Sequence, residues 1–296
     1  MGGFVEGLSV VEDTPDGPLM ELNMGPQHPS THGVLRLVLR VEGEVVRYAD
    51  PEVGYLHTGF EKDFERLTYH QATPLTDRMD YLSPLGNNLG YALAVEKLLG
   101  ETVPVRAQRI RVILAELARI GSHLIWLGTH ALDLGAQSGF LYAWRDRERI
   151  LEINEACSGV RMMTSFIRVG GLMADVPPDF ATMVRAFLND FRPHCDDYAA
   201  MFTENPLWID RTRGLGTISA ADALDFGFTG PCLRGSGVSY DVRKDAPYSG
   251  YQEYDFEVPV GSHGDVYDRY LVRIEEMRES IRIVEQAVDR LEPGPV

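Results

Sequence analysis

Two long stretches of the chain carry apolar residues at alternating spacings of three and four. In the first, Ile110, Ile113, Leu117, Ile120, Leu124, Leu127, Ala131 and Leu134 follow Pro104. In the second, Tyr267, Tyr270, Ile274, Met277, Ile281, Val284, Val288 and Leu291 end at Pro293-Gly294-Pro295. This spacing lines one face of an α-helix, so both stretches predict long helices whose seams pack against other helices. Ser83-Pro84 predicts a helix start running to Leu99, because proline fits the first helical position. Further helices are predicted over about 139–156, from Pro177-Pro178 to about Phe202, and after the Gly54–Lys62 segment to about His70. Strand signals are few. Leu19 to Asn23 reads as a strand, and Val34 to Val41 with Val45 to Tyr48 reads as a hairpin around Glu42-Gly43-Glu44. Another short strand region is expected after Gly214. The fold class is therefore mainly α (α+β), with small β regions at the N-terminal end and after the central helices.

A second stripe runs beside the first seam. His123, Trp126, His130 and Asp133 follow a 3-4-3 spacing, which places two imidazoles and a carboxylate on one flank of a mostly apolar helix and predicts polar neighbours there. The other concentration of chemistry is Gly25-Pro26-Gln27-His28-Pro29-Ser30-Thr31-His32-Gly33. Its prolines exclude helix, so the His-x-x-x-His spacing does not make a helical metal pair. Either the histidines hydrogen-bond the loop to itself, or the loop presents imidazoles to a ligand. The run Arg145-Asp146-Arg147-Glu148-Arg149 reads as a solvated or salt-bridged face.

The chain has 296 residues, enough for a substantial core, with 28 Lys and Arg against 44 Asp and Glu and a formal net charge of −16. That balance argues against nucleic acid and anionic lipid as partners and favours protein surfaces. Three widely spaced cysteines offer neither a disulfide framework nor a Cys-x-x-Cys site, consistent with a reducing compartment. No run of 18 apolar residues is present, so no transmembrane helix is expected. Residues 1–18, without Lys or Arg, read as a disordered tail ahead of one domain over 19–296. Walker, Gly-x-Ser-x-Gly and His-Glu-x-x-His motifs are missing. What remains are proton donors: His32, Tyr81 and Asp133. An imidazole oriented by a carboxylate, with a tyrosine hydroxyl, suits hydrogen bonding and proton delivery to a carbonyl pair under reduction. A core tyrosine and a self-satisfied histidine are the alternative.

Several motifs resemble the D-type subunit of respiratory complex I, a family related to the large subunits of nickel–iron hydrogenases. They are the Gly25–Val34 loop, Leu56-His57-Thr58-Gly59-Phe60-Glu61-Lys62, Asp77-Arg78-Met79-Asp80-Tyr81, Ala131-Leu132-Asp133-Leu134-Gly135-Ala136, Ile167-Arg168-Val169-Gly170-Gly171, Leu233-Arg234-Gly235-Ser236-Gly237 and Gly264-Asp265-Val266-Tyr267-Asp268-Arg269. The resemblance covers about residues 20–296 and implies a hydrogenase-large-subunit-like helical bundle. It also implies a peripheral subunit on the cytoplasmic face of a bacterial inner membrane. In the family this subunit forms, with a small iron–sulfur subunit, the cavity where quinone is reduced in proton-translocating NADH:quinone oxidoreductase. The implied roles follow residue by residue. His32 and Tyr81 are ligands and proton donors for the head group of ubiquinone or menaquinone, Asp133 is the carboxylate paired with His32, and Arg78 lies near a 4Fe-4S cluster held by the partner. No metal is implied in this chain, and NADH is used by other subunits. Implied partners are a B-type iron–sulfur protein of the same complex, a C-type protein and membrane-arm subunits.

The chain departs from these patterns in places. Asp80 and Ser83 stand where hydrogenases have cysteine ligands to nickel, so the soft thiolates that such a centre needs are missing. Met163 replaces a histidine that many family members place near the cluster, and Thr58 replaces an arginine of mitochondrial relatives. The family continues beyond Val296, which suggests a truncated chain. Other readings are a scaffold or assembly fragment, or the equivalent subunit of another hydrogenase-related energy-converting complex.

Overall fold

A computed structural model describes residues 8–14 and 17–296, with side chains from Pro18 onward. The chain forms two compact units, one reaching to Lys62 and one spanning Asp63–Val296. The range 19–296, expected to hold one domain, takes in parts of both.

The first unit is an antiparallel meander of four strands in sequence order: β1 (Leu8–Thr14), β2 (Gly17–Met24), β3 (Arg36–Glu42) and β4 (Val45–Glu52). The expected hairpin is β3 and β4, turning at Gly43, whose φ of 59° suits glycine. β1 corrects the expectation of a tail. Its backbone pairs with β2 from Leu8 opposite Leu22 to Thr14 opposite Gly17. Pairing at a sheet edge draws on main-chain groups, so a sequence rich in acidic residues can supply it. Residues 1–7 and 15–16 of the expected tail lie outside the described residues.

Near the boundary is the short helix α1 (Phe60–Phe64), followed in the second unit by α2 (Tyr69–Thr76). The single helix expected here is thus interrupted. Thr68 explains the break: its hydroxyl accepts from Gln71 N while Gln71 Oε1 accepts from Thr68 N at 3.1 Å, a capping box that starts a new helix. α3 (Pro84–Leu99) begins at the expected proline and ends at Gly100, in the left-handed conformation. α4 (Val105–Asp133) runs 29 residues and ends in a Schellman motif. There Ala136 N bonds Ala131 O and Gly135 N bonds Leu132 O, with Gly135 at φ 89°. α5 (Gln137–Ser158) returns along α4. A two-stranded hairpin, β5 (Ile167–Arg168) and β6 (Gly171–Leu172), precedes α6 (Phe180–Phe202).

After Gly214 the expected strand does not occur. α7 (Pro206–Thr212) is followed by α8 (Ala220–Asp225), α9 (Gly230–Gly235) and α10 (Val242–Asp245), before the last helix α11 (Val266–Asp289). Local caps account for the short turns. Ser219 accepts from Asp222 N and Asp241 from Arg243 N. The two predicted seams meet in the core, where Ile110, Ile113, Leu117, Ile120, Leu124 and Leu127 of α4 and Tyr270, Met277, Ile281 and Val284 of α11 are buried.

One buried ion pair ties this core to the β5–β6 hairpin. Arg111 is fully buried and donates to both oxygens of Glu96, at 3.0 and 2.6 Å, and to the carbonyls of Arg168 and Gly171. Glu96 also accepts from Gly170 N at 2.8 Å. Truncating one member leaves the other charge buried without compensation, at a cost of about 3–5 kcal/mol. Arg111→Met is therefore expected to lower the thermal midpoint sharply. Arg192→Ala, which removes only an exposed pair with Glu285, should leave it nearly unchanged in the same calorimetry.

Candidate functional site

The loop before β3 is fixed by its own hydrogen bonds. His28 Nδ1 accepts from Ser30 N at 3.1 Å, and the buried Thr31 hydroxyl is within hydrogen-bond distance of the carbonyls of Pro26 and His28. Gly25, at φ 86°, lies where a Cβ would stand 2.1 Å from Leu35 O, so only glycine fits. His28 thus serves the turn Pro29–Thr31 itself, whereas His32 closes the turn in the left-handed region, at φ 53°, with its ring exposed.

In the second unit, Arg78 and Tyr81 share the connection between α2 and α3. Arg78 Nη1 donates to Pro74 O at 2.7 Å. Asp80 shapes the segment through Leu82 N to its carboxylate and Ser83 N to its carbonyl. Tyr81 is 44% exposed and lines a narrow groove with Leu82, Leu85, Arg147, Ile150 and Met162. The connection is anchored from below. Asp77 is fully buried and accepts from Ser165 N at 3.0 Å and from the Ser165 hydroxyl, while Asn88 Nδ2 donates to Thr76 Oγ1 at 2.8 Å. Burial pushes the Asp77 carboxyl above its usual range despite these bonds. Met163 and Ser165 adopt φ of 51° and 44°, so Asp77 holds a backbone turn that non-glycine residues seldom form.

The polar stripe on α4 resolves into distinct environments. Asp133 is exposed at the helix end. His130 stacks on Trp126 and meets Trp208 edge-on. Trp126 also lies under the guanidinium of Arg273, 4.2 Å away. His123 faces α11, with Nε2 2.7 Å from Glu276 Oε2. Burial holds its imidazole neutral below the ordinary range, so Nε2 carries the proton donated to Glu276. Arg78 and Tyr81 therefore share one turn, Asp133 stands at the end of another element, and His32 belongs to the other unit.

Sequence reasoning missed the largest polar feature. Glu276 accepts from Arg234 at 2.8 and 2.5 Å. Arg234 lies 4.0 Å from Asp241, Asp241 pairs with Arg243 at 2.6 Å, and Arg243 donates to both oxygens of Glu116. Glu116 further accepts from Tyr251 and Ser280, each at 2.6 Å, and from Arg119 at 3.1 Å. This chain of buried charge joins α4, α9, α10 and α11. Its signal was two glutamates inside apolar runs, Glu116 between Ala115 and Leu117 and Glu276 close to Ile274 and Met277. A carboxylate at a seam position is rarely buried without a cation.

Beside this network is an open cleft lined by Asp80, Ser83, Arg119, Ser122, His123 and Tyr248. Leu89, Leu93, Ala115 and Val242 also line it, so Asp80 and Ser83 face a cleft of mixed character. Among the described residues no cluster of three or more His, Cys, Asp or Glu is arranged to hold a metal ion. Burial raises the Cys157 and Cys195 thiols to about 12, leaving both protonated at neutral pH.

The network sets an acid limit on stability. Burial opposes the charge of Glu276, but the hydrogen bond from His123 and the charge of Arg234 outweigh it and hold the carboxyl at about 2, against an ordinary 4.5. Its stabilisation is complete above pH 4.5 and disappears as pH falls toward 2. His123 acts in the same direction at higher pH, because the unfolded chain binds a proton below 6.5 that the buried ring resists. Thermal unfolding at stepped pH should show the midpoint falling through both ranges. Glu276→Gln should flatten the lower one, and an unchanged profile would refute the assignment.

The C-terminal part, residues 133–296, matches the family model described as the 49-kDa subunit of respiratory-chain NADH dehydrogenase. The chain is 59% identical over 278 residues to the D-type NADH-quinone oxidoreductase subunit of Geotalea uraniireducens, covering 94% of this chain and 71% of that protein. It is 61% identical over 280 residues to the second D-type NADH-quinone oxidoreductase subunit of Chloroflexus aurantiacus, covering 94% and 68%. Identity at this level across nearly all of the described chain admits one conclusion: the chain belongs to the respiratory-chain NADH dehydrogenase 49-kDa subunit family, whose bacterial relatives are the D-type subunits of NADH-quinone oxidoreductase.

Proposed function

We propose that this chain is the quinone-site subunit of a proton-translocating NADH:quinone oxidoreductase. In this reading it works with a small iron–sulfur subunit whose 4Fe-4S cluster delivers electrons to quinone, at the cytoplasmic face of a bacterial inner membrane. The observation that carries the reading is Tyr81. It is a large aromatic left 44% exposed on a short connection fixed on one side by the helix start at Pro84 and on the other by the buried Asp77–Ser165 bonds. A hydroxyl presented on so constrained a turn suits hydrogen bonding to a carbonyl oxygen. His32, presented on the stiff Gly25–Gly33 loop, is the second proposed head-group ligand and proton donor.

Asp133 is the proposed carboxylate partner of the histidine, and Arg78 the residue proposed to face the partner's cluster. Arg78 fits an anionic neighbour, since the hydrogen bond its guanidinium donates goes to a neutral carbonyl. When bound, the cluster supplies single electrons. The residues of this chain supply orientation, hydrogen bonds and protons. No described helix is long and apolar enough to cross a membrane, which fits a subunit held by its neighbours.

The test is quinone reduction by the assembled complex in membranes of the source cell. Tyr81→Phe removes one hydroxyl and keeps the ring, and should lower kcat for NADH:quinone reduction by about tenfold or more, the usual scale for a positioned acid or base. Reduction of an artificial acceptor that takes electrons upstream should be unchanged. Full quinone activity in Tyr81→Phe and in His32→Ala would overturn the reading in favour of a structural subunit.

A further inference from the structure

The charged face on α5 does not behave as one surface. Arg145 donates to Asp146 at 2.9 Å, Arg149 pairs with Glu152 at 3.1 Å and lies 3.8 Å from Asp190, and Glu148 pairs with Arg161. Arg147 differs from these. It is half-buried, lines the same groove as Tyr81, and among the described residues makes no ion pair. Its Nη2 lies 3.5 Å from the Met162 sulfur, a weak acceptor, and its guanidinium stands 5.9 Å from the Trp144 ring. The buried arginines Arg111, Arg234 and Arg243 each sit on a carboxylate, and Arg273 has the face of Trp126 instead.

Arginine does not shed its proton at physiological pH, so this charge persists where burial works against it and the charges of Glu148 and Arg161 act in opposite directions. A half-desolvated cation without a close ion pair is costly to hold and attractive to an anion arriving from outside. The lining of the groove narrows the class of that anion. The thioether of Met162 and the side chains of Leu82, Leu85 and Ile150, next to Asn154 and the guanidinium of Arg161, suit a soft anion with spread charge better than a hydrated carboxylate or phosphate.

We propose that Arg147 is the counter-charge for a delocalised anion docked beside Tyr81. The inference rests on the reading of Tyr81 given above. Two sources share this chemistry: the oxygen of a quinone head group that has accepted electrons, and the thiolate-ligated cluster of the partner subunit.

The experiment uses the whole complex in source-cell membranes, with Arg147→Gln, Arg147→Lys and Tyr81→Phe made in parallel. It reads kcat/KM for a short-chain quinone and the midpoint potential of the terminal cluster by redox titration followed by electron paramagnetic resonance. Arg147→Gln should lower kcat/KM by roughly tenfold, the scale of one charge-assisted hydrogen bond in a water-poor site, with Arg147→Lys recovering most of the loss. An unshifted cluster potential with that loss identifies the head group as the anion. A potential shifted downward identifies the cluster. If Arg147→Gln fails to assemble while Arg147→Lys assembles, the charge meets the partner's anion at docking, which supports the proposal. Failure of both variants to assemble, or normal kcat/KM and potential in an assembled Arg147→Gln complex, overturns it. Slow turnover in Tyr81→Phe with normal Arg147→Gln would sink this inference alone, whereas normal turnover in Tyr81→Phe would remove the reading beneath it.

Discussion

The second unit depends on burying opposite charges together. Glu116 and Glu276 lie on the inner faces of the two longest helices, where an isolated carboxylate would not be tolerated. Arg243 and Arg234 reach them from the short helices α10 and α9, and Asp241 bridges the two arginines. This arrangement settles how the glycine-rich region after Gly214 must fold. Its strand-like composition is overridden because two guanidiniums have to enter the α4–α11 interface together. Tyr251 and Ser280 complete the hydrogen bonding of Glu116, so the network closes on itself and leaves little freedom in the register of α4 against α11.

That rigidity positions the groups of functional interest. His123 is neutral with a fixed tautomer because Glu276 takes its Nε2 proton as a hydrogen bond. The cleft that His123 lines also receives Asp80 and Ser83 from the start of α3. On the other side of that segment, Tyr81 faces the groove that holds Arg147. The turn from Asp77 to Ser83 therefore contributes to two recesses of mixed lining, and its position is set by buried bonds to Thr76, Asn88 and Ser165.

The parts of the fold legible in sequence were those governed by local periodicity and punctuation. The 3-4 seams marked α4 and α11, Ser83-Pro84 marked α3, and Glu42-Gly43-Glu44 marked the β3–β4 hairpin. What escaped were features fixed by distant partners. β1 carries too few apolar residues to announce itself and forms because β2 offers an edge. Arg234 and Arg243 read as loop charges, since their carboxylates lie 42 and 127 residues away. Within the candidate site, His28 and His32 are equivalent in sequence. The structure separates them, because the His28 ring caps its own turn while the His32 backbone closes that turn in the left-handed region. The run Arg145–Arg149 likewise reads as a uniform face, and only the packing of Met162 and Tyr81 around Arg147 sets that residue apart.

The central proposal is that this chain binds quinone, with Tyr81 and His32 each a proposed ligand. The most direct measurement is photolabelling of source-cell membranes with an azidoquinone, followed by mass spectrometric mapping of the modified residues. The account predicts labelled peptides from the connection between α2 and α3 around Tyr81 and from the loop carrying His32, both suppressed by excess unlabelled quinone. Suppressible label confined to other subunits, with none on these two segments, would contradict it.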